Sequence, residues 1–331
     1  MAMATASKKR YWVGFDLGGT KMLATVFDKD FKALGSRRKK TKDFKGSRAG
    51  LVGITKTIDD ALQDAGISRK QVAGIGIGCP GALDLERGVV VQSPNLGWRN
   101  VALKKSLEKI FSCRVALAND VDAGTYGEYR FGAGQGARCL VGIFPGTGIG
   151  GACVYEGKIF RGQRSSCMEI GHMHMQPKGG LCGCGRWGCL ETVASRLAIS
   201  EQAAAAAFRG EAPHLYELAG TDLSSIRSRT LATAIKEGDV VIEAIVQHAA
   251  KSLGVATASL VNLLAPEVVV LGGGLVEAMP QIYLEQVRKA IHEQAMKPFR
   301  TSVRVAVAKL GDNAGVLGAA ALVADEAHDR R

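Results

Sequence analysis

The residues best able to do chemistry are one histidine and three cysteines within eighteen positions, His172, Cys182, Cys184 and Cys189. Imidazole and thiolates are the ligands of closed tetrahedral zinc sites, and sulfur favours zinc over magnesium or calcium. The pattern predicts a structural zinc, because four protein ligands leave no position for a catalytic water. A disulfide or ordinary buried thiols are the alternatives, and spacing alone does not decide between His172 and His174 as the ligand.

Two carboxylates, Glu169 and Glu191, bracket this cluster. Their position predicts that the metal orders a polar binding surface in addition to closing a loop. The other five cysteines are scattered and isolated, unlike the disulfide framework of a secreted protein; they are Cys79, Cys113, Cys139, Cys153 and Cys167.

Two glycine-centred segments repeat in register along the chain. Residues 11–28 predict two strands joined by the tight turn Gly18-Gly19-Thr20, and residues 141–156 predict the same arrangement around Gly146. When Gly146 is placed beneath Gly18, valine, glycine and alanine positions coincide on both sides of the turn. The sequence therefore predicts two similar halves, each led by a β-hairpin, which is an internal duplication.

Turns of this kind expose successive backbone N–H groups, which form a concavity for phosphate oxygens. Thr20 and Thr147 add hydroxyl donors, and Asp16 precedes the first turn, where it could hold magnesium through water. The counterpart of Asp16 in the second half is Phe144, so the two halves have diverged at this position. A single glycine hairpin is weak evidence for phosphate binding, but two in register are considerably stronger.

A third glycine cluster, Gly272-Gly273-Gly274, follows the predicted strand 267–271, which is apolar after Glu267. A strand, a glycine turn and then a helix commonly bind a nucleotide, although a plain strand–helix turn has the same pattern. The spacing is neither that of the dinucleotide fingerprint nor that of a phosphate-binding Gly-Lys-Ser/Thr loop.

Asn119-Asp120 follows the predicted strand 115–118 and precedes a predicted helix. Ligands of α/β sheets collect beyond the carboxyl ends of strands, so Asp120 could accept a proton from a substrate hydroxyl while Asn119 orients it. The alternative is a helix N-cap, for which both residue types are favoured. The two roles are compatible.

Periodicity predicts strands alternating with helices, which places the chain in the α/β class. The predicted helices cover 48–65, 101–111, 193–208, 240–264 as one helix or two, 281–296 and 314–325. Further predicted strands cover 72–77, 89–91 and 303–308.

The chain has 331 residues, 47% of them hydrophobic and 22% charged, which is the composition of an ordinary globular protein with room for two lobes. No apolar run is long enough to span a membrane, and the N-terminus lacks the apolar core of a secretory signal, so we expect a cytoplasmic protein. The net charge of +12 is concentrated in 8–10 and 37–45. It permits an anionic partner, but a solvated basic face is the preferred interpretation.

These motifs together resemble the ROK family of repressors, open reading frames and kinases, and within it the bacterial ATP-dependent glucokinases. The resemblance covers about residues 12–323 and rests on Asp16–Lys21, Gly78–Gly81, Ser93–Trp98, Asn119-Asp120, Gly146–Gly151, Glu169–His172 and the Cys182–Glu191 segment. It implies the actin-like ATPase (sugar kinase) fold, with two α/β lobes around a cleft. We expect a small lobe over 11–119 and a large lobe over 120–324, with the C-terminal helix able to pack back on the small lobe.

The resemblance also implies site residues. Asp120 is the expected general base toward the 6-hydroxyl of a hexose, above all glucose, and His172 is favoured over His174 as the zinc ligand that also touches the sugar. The expected sugar contacts are Gly81, Asn95, Asn119, Asp120, Glu169, His172 and Glu191. The expected contacts with ATP and Mg²⁺ are Asp16, Gly18, Gly19, Thr20, Lys21, Thr147, Gly148, Gly272, Gly273 and Gly274.

Family members are commonly dimeric, so a homodimer is expected. About ten residues precede the first strand, which leaves no room for the helix-turn-helix of the repressors, and no nucleic acid or membrane partner is expected. An N-acetylhexosamine, mannose or fructose as the sugar and polyphosphate as the donor remain alternatives, and a non-catalytic sugar sensor is an alternative of another class. The resemblance does not explain the basic segment 37–45.

Overall fold

A computed structural model describes residues 10–44, 46–163 and 165–328. The chain forms two compact units, each with its own hydrophobic core. The first unit takes in the described residues up to Gln135, the segment Ile159–Cys167 and the described residues from Asp312 onwards; the second takes in Gly136–Lys158 and Met168–Gly311.

The strands are β1 (Tyr11–Leu17), β2 (Lys21–Phe27), β3 (Ala33–Lys40), β4 (Val72–Cys79), β5 (Ala82–Asp84), β6 (Val89–Ser93), β7 (Trp98–Val101), β8 (Arg114–Asn119), β9 (Cys139–Pro145), β10 (Ile149–Tyr155), β11 (Lys158–Ile159), β12 (Arg161–Gly162), β13 (Ser165–Ser166), β14 (Val268–Leu271) and β15 (Arg304–Val307). The helices are α1 (Ser47–Asp64), α2 (Leu103–Phe111), α3 (Asp120–Phe131), α4 (Glu191–Ala194), α5 (Arg196–Phe208), α6 (Pro213–Ala219), α7 (Ser228–Glu237), α8 (Val240–Leu264), α9 (Gly273–Ala278), α10 (Pro280–Gln294), α11 (Lys297–Arg300) and α12 (Ala314–His328).

The predicted duplication is present in the sheets of both units. The first has the order β3-β2-β1-β4-β8 and the second the order β11-β10-β9-β14-β15. In each, an antiparallel hairpin is followed by two parallel strands. Both strands of the second hairpin begin and end at the positions that correspond to those of the first. The glycine-centred register predicted from the sequence is therefore confirmed.

The C-terminal helix α12 belongs to the first unit and packs on β1, β4 and α3. Its Ala- and Gly-rich sequence permits a very close approach to the sheet. A Cβ on Gly14 would lie 1.8 Å from the Val316 carbonyl oxygen, and one on Gly76 would lie 1.7 Å from that of Ala319. Only glycine fits at these two strand positions. Because α3 also belongs to this unit, the boundary between the units follows Gln135, whereas the sequence analysis placed it after Asn119.

Most predicted elements lie within two or three residues of those observed, and residues 240–264 form one continuous helix, α8. The prediction of one helix over 193–208 is wrong in one respect, because the helix is interrupted at Ser195, between α4 and α5. Ser195 has an extended backbone, and its hydroxyl accepts a hydrogen bond from the Ala198 N–H at 3.2 Å. It is therefore the N-cap of α5, which an alanine-rich pattern conceals.

The basic segment contributes to β3, which is an edge strand of the first sheet. Arg37 and Lys39 pair with carboxylates on α1, Arg37 with Asp64 at 3.3 Å and Lys39 with Asp60 at 2.6 Å. Charged side chains also protect an exposed strand edge against pairing with another chain. The structure thus gives these cations local acidic partners. Lys45, Lys8 and Lys9 lie outside the described residues.

Across the described parts of the chain, no helix combines the length and apolarity that a membrane crossing requires.

Candidate functional site

Two acidic residues, Asp16 and Asp120, lie near each other at the carboxyl ends of parallel strands in the first unit. Asp16 near the end of β1 is paired with Gly78 on β4, and Asn119 at the end of β8 is paired with Cys79. A Cβ on Gly78 would lie 3.5 Å from the Cα of Asp120 and 3.9 Å from Oδ1 of Asp16. Parallel strands end at the same edge of a sheet, so residues far apart in sequence become neighbours here.

The surroundings of Asp16 disfavour its ionised form. Burial raises the pKa of Asp16 to about 6, and the nearby Asp120 carboxylate contributes to this rise, while Lys21 and Arg38 act in the opposite direction. Desolvation and a like charge both disfavour the ionised carboxylate. An oxygen-ligated divalent cation would relieve this repulsion, so the donor set fits magnesium.

The helix-cap alternative for Asn119-Asp120 is confirmed for Asn119. Its backbone is extended, and its side-chain oxygen accepts a hydrogen bond from the Val121 N–H at 2.9 Å. Asp120 is the first residue of α3, and its Oδ1 lies 3.1 Å from the same N–H. The helix start therefore holds the Asp120 carboxylate at the sheet edge beside Asp16.

The first glycine turn is held by groups that the sequence analysis did not select. The Thr41 hydroxyl donates to the Gly18 carbonyl oxygen at 2.7 Å. Lys21 donates to both oxygens of Asp312, at 2.9 and 3.0 Å, and Arg38 donates to the same carboxylate at 2.9 Å. Hydrogen bonds from Lys21 and Arg38 hold the pKa of Asp312 below its ordinary value. Two cations are thus fixed beside the turn.

Two expected sugar-contact residues lie on neighbouring segments of the same unit. Asn95 is in the short turn Pro94–Leu96, and a Cβ on Gly19 would lie 3.2 Å from the Cβ of Asn95. Gly81 follows β4 with a φ of 106°, and a Cβ there would lie 2.3 Å from the Gln92 carbonyl oxygen. Asn95 is therefore adjacent to the first glycine turn.

In the second unit, the second glycine turn is joined to the cysteine segment through Glu191. One Glu191 oxygen accepts a hydrogen bond from the Ile149 N–H at 2.9 Å, and the other lies 3.8 Å from the Cys182 Sγ. A Cβ on Gly148 would lie 2.4 Å from this carboxylate, which accounts for glycine at the turn. Thr147 is exposed at the tip.

The third glycine cluster also lies against the second hairpin. Gly272 is the N-cap of α9, and its N–H donates to the Ile143 carbonyl oxygen at 3.0 Å. A Cβ on Gly272 would meet the Phe144 ring at 2.6 Å. Phe144 occupies the position that corresponds to Asp16, so in this half an aromatic contact replaces the carboxylate. The predicted strand, glycine turn and helix are present.

The four residues His172, Cys182, Cys184 and Cys189 come together with their ligand atoms within 4.8 Å of one another. The Sγ atoms of Cys184 and Cys189 are 3.7 Å apart, and Cys182 Sγ is 3.6 Å from His172 Nδ1. Zinc–sulfur bonds of about 2.3 Å at tetrahedral angles place two thiolates about 3.8 Å apart. The donors and their spacing therefore fit a zinc ion. All eight cysteines of the chain are free thiols, which excludes the disulfide alternative in this structure.

His174 takes no part in this cluster. Its Nδ1 lies 3.1 Å from the Trp187 carbonyl oxygen, and its backbone forms a β-bridge with Cys189. His172 instead ends the short turn Ile170–His172, which Glu169 begins. That turn packs on β10, which is one strand of the hairpin whose turn contains Thr147. Glu169 and His172 therefore lie against this hairpin.

The residues expected to contact sugar, nucleotide or metal are divided between the two units. Around the first turn the structure groups Asp16, the Gly18–Lys21 segment, Gly81, Asn95, Asn119 and Asp120. Around the second turn it groups Thr147, Gly148, Glu169, His172, Glu191, the three cysteines and Gly272–Gly274. Sequence reasoning missed Thr41 and Asp312, because no motif pattern marks an isolated side chain that contacts a distant turn.

The chain is similar to known proteins along almost its whole length. The profile of the ROK family matches residues 12–326. A glucokinase of Halalkalibacterium halodurans is 32% identical, with 95% of each chain covered. A glucokinase of Thermotoga maritima is 33% identical, with 94% of this chain and 96% of the relative covered. The crystal structure of a ROK family glucokinase from Streptomyces griseus, in complex with glucose and AMPPNP, has a TM-score of 0.82 at 32% identity and covers 95% of this chain and 99% of that one.

Proposed function

Because this chain belongs to the ROK family, we propose that it is a sugar kinase that transfers the terminal phosphoryl group of ATP to the 6-hydroxyl of glucose. The fold is the actin-like ATPase fold of that family. One observation carries the proposal: Asp120 lies near Asp16 at the carboxyl ends of parallel strands, and Asp16 lies in the strand that leads into the first glycine turn.

The chemistry assigned to these residues is simple. The Asp120 carboxylate accepts the proton of the sugar hydroxyl as its oxygen attacks the phosphorus, and ADP leaves. Asn119 orients the sugar, with Gly81, Asn95, Glu169, His172 and Glu191 as further proposed sugar contacts. Carboxylates and amides that pair with adjacent hydroxyls reject analogues lacking one, because buried polar groups are then left unpaired.

The proposed nucleotide contacts are the two glycine turns. Backbone N–H groups of Gly18 and Gly19, with Thr20 and Lys21, form one set of donors, and those of Thr147 and Gly148 form the other. Gly272, Gly273 and Gly274 would lie against the rest of the nucleotide. Asp16 would hold Mg²⁺, which supplies charge neutralisation for the phosphates when bound.

The test of the function is ADP release from ATP across glucose, mannose, fructose, glucosamine, N-acetylglucosamine and N-acetylmannosamine. We expect glucose to have the highest kcat/KM, by about tenfold or more, since a missing or altered hydrogen bond costs at least about 1.4 kcal/mol in such a pocket. A better turnover of another hexose contradicts the assignment of glucose. No turnover with ATP and any of the sugars contradicts the kinase proposal, and polyphosphate would then be tried as the donor.

Zinc is proposed to bind His172, Cys182, Cys184 and Cys189 as a structural ion. The backbone N–H of Arg186 lowers the pKa of Cys184 to about 7, whereas burial raises the pKa of Cys182 and raises that of Cys189 to about 11. Binding of a metal would therefore have to displace protons from these last two thiols. The ion would fix the segment that carries Glu169, His172 and Glu191. A homodimer remains the expected assembly, with support only from the family resemblance.

Replacing Cys182 and Cys184 with serine is expected to remove one zinc per chain. The KM for glucose should rise about tenfold or more, while the KM for ATP changes less, because loss of an ordering metal mainly loosens the sugar-binding segment. Elemental analysis and steady-state kinetics measure both effects. Cys167→Ser is the matched control, since this cysteine lies outside the cluster. A zinc-free double variant with the glucose KM of the unmodified protein would show the proposal to be wrong.

A further inference from the structure

Arg196, the first residue of α5, is attached to the second glycine turn at two points. Its backbone N–H donates to the Gly146 carbonyl oxygen at 2.8 Å, and its Nη2 donates to the Thr147 Oγ1 at 3.0 Å. Its other terminal nitrogen, Nη1, lies 3.4 Å from the Ile226 carbonyl oxygen. The Ser195 cap fixes the start of α5, so the guanidinium is held in one place beside the turn.

The direction of the bond to Thr147 matters. A guanidinium has five N–H donors and no acceptor, so the Thr147 oxygen must be the acceptor. The hydroxyl proton of Thr147 is then left to donate to another group. Thr147 is exposed at the tip of the turn, so the hydroxyl is accessible to a ligand with acceptor oxygens.

Arg196 places a positive charge beside the second glycine turn. The three oxygens that Arg196 contacts are all neutral, so these hydrogen bonds leave its positive charge intact. The Glu191 carboxylate is bound to the same turn through the Ile149 N–H. A phosphate group brought to Gly148 would be repelled by Glu191 and needs a nearby cation to offset this.

We propose that Arg196 is a positioning residue for the phosphates of the nucleotide at the second glycine turn. It makes Thr147 a hydrogen-bond donor to a phosphate oxygen and balances the charge of Glu191. This inference rests on the proposed function in that ATP is taken as the phosphoryl donor. It predicts a role in ATP affinity and none in sugar affinity.

The test uses Arg196→Met, Arg196→Lys, Thr147→Val and the double variant that combines Thr147→Val with Arg196→Met. Arg196→Met alone should raise the KM for ATP about tenfold, with the KM for glucose and kcat changed less than about threefold. Arg196→Lys, which keeps the charge but not the fork, should fall in between. In the Thr147→Val background, the effect of Arg196→Met should shrink to about threefold or less, because the two side chains act together.

Arg209→Met is the matched control, since Arg209 directly follows the same helix and pairs with Glu211 at the surface. An unchanged KM for ATP in Arg196→Met overturns the inference. Parallel rises in both KM values, with a lower Tm, also overturn it, because they indicate a purely structural role. If the unmodified protein does not turn over ATP, the proposed function fails. Binding calorimetry with tripolyphosphate then tests the role of Arg196 independently of turnover. The inference requires that Arg196→Met binds this anion about tenfold more weakly than the unmodified protein does.

Discussion

Asp120→Asn is expected to lower kcat by about two to four orders of magnitude, which is the usual contribution of a positioned general base. The amide has the shape of the carboxylate but cannot accept the proton of the sugar hydroxyl. The KM values for ATP and glucose should stay within a few-fold, because the variant changes proton transfer and leaves the glycine turns in place.

The fold should tolerate this change. Asn119 remains the N-cap of α3, and an asparagine oxygen at 120 can still lie near the Val121 N–H. Removing the charge of Asp120 should also lower the pKa of Asp16, because the repulsion between the two carboxylates raises it. Single-turnover kinetics and binding calorimetry with glucose separate the chemical step from binding.

The matched control is Asp43→Asn, an exposed acidic residue of the same unit that is expected to leave the kinetics unchanged. If Asp120→Asn keeps kcat within about tenfold of the unmodified protein, Asp120 is not the general base. If it loses activity together with its thermal transition, the loss reports on folding, and Asp120→Glu would then be compared for residual turnover.

Asp16→Asn is expected to stabilise the protein at pH 8 while abolishing most of its activity. The pKa of Asp16 in the folded protein is raised from 3.8 to about 6, chiefly by burial. A shift of about two pKa units corresponds to roughly 3 kcal/mol, by which folding disfavours the ionised carboxylate at high pH. The amide carries no charge and avoids this cost.

The sign of the pH dependence follows from the raised pKa. The favourable contribution of Asp16 to stability is fully present below the unfolded pKa near 3.8 and is lost as the pH rises through about 6. The Tm advantage of Asp16→Asn should therefore be a few degrees, up to about 4 °C, at pH 8 and close to zero at pH 4. Calorimetric scans without added magnesium or nucleotide measure it, because bound Mg²⁺ would stabilise the unmodified protein, and omitting a chelator leaves the proposed zinc in place.

Asp43→Asn again provides the control, because it makes the same substitution at an exposed position of the same unit. A Tm advantage that is equal at pH 4 and pH 8 would show that packing, and not charge, is responsible. A lower Tm at pH 8 contradicts the prediction outright. If the prediction holds, the Asp16 carboxylate lowers the stability of the folded protein while it serves ligand binding, which is a common trade-off in enzymes.

The sequence by itself determined the features that depend on residues close together in the chain. The register of the two hairpins follows from glycine at each turn flanked by strand-forming residues, and it agrees with the structure at every boundary of the four hairpin strands. The three cysteines and a histidine could be selected as a ligand set because their spacing is local. The position of Asn119-Asp120 at the start of a helix also required only the preceding strand and the residue types.

Only the tertiary structure decided which distant groups meet. The choice of His172 over His174 rested on the family resemblance, and the structure places the rings differently because His174 pairs with the Trp187 carbonyl while His172 faces Cys182. The contact between Lys21 and Asp312 joins residues 291 positions apart, and no local pattern reveals it. The bond from Arg196 to Thr147 spans 49 positions and depends on a helix break that the alanine-rich sequence hides. Such contacts are set by the packing of whole elements, so they become visible only when the sheets and helices are assembled.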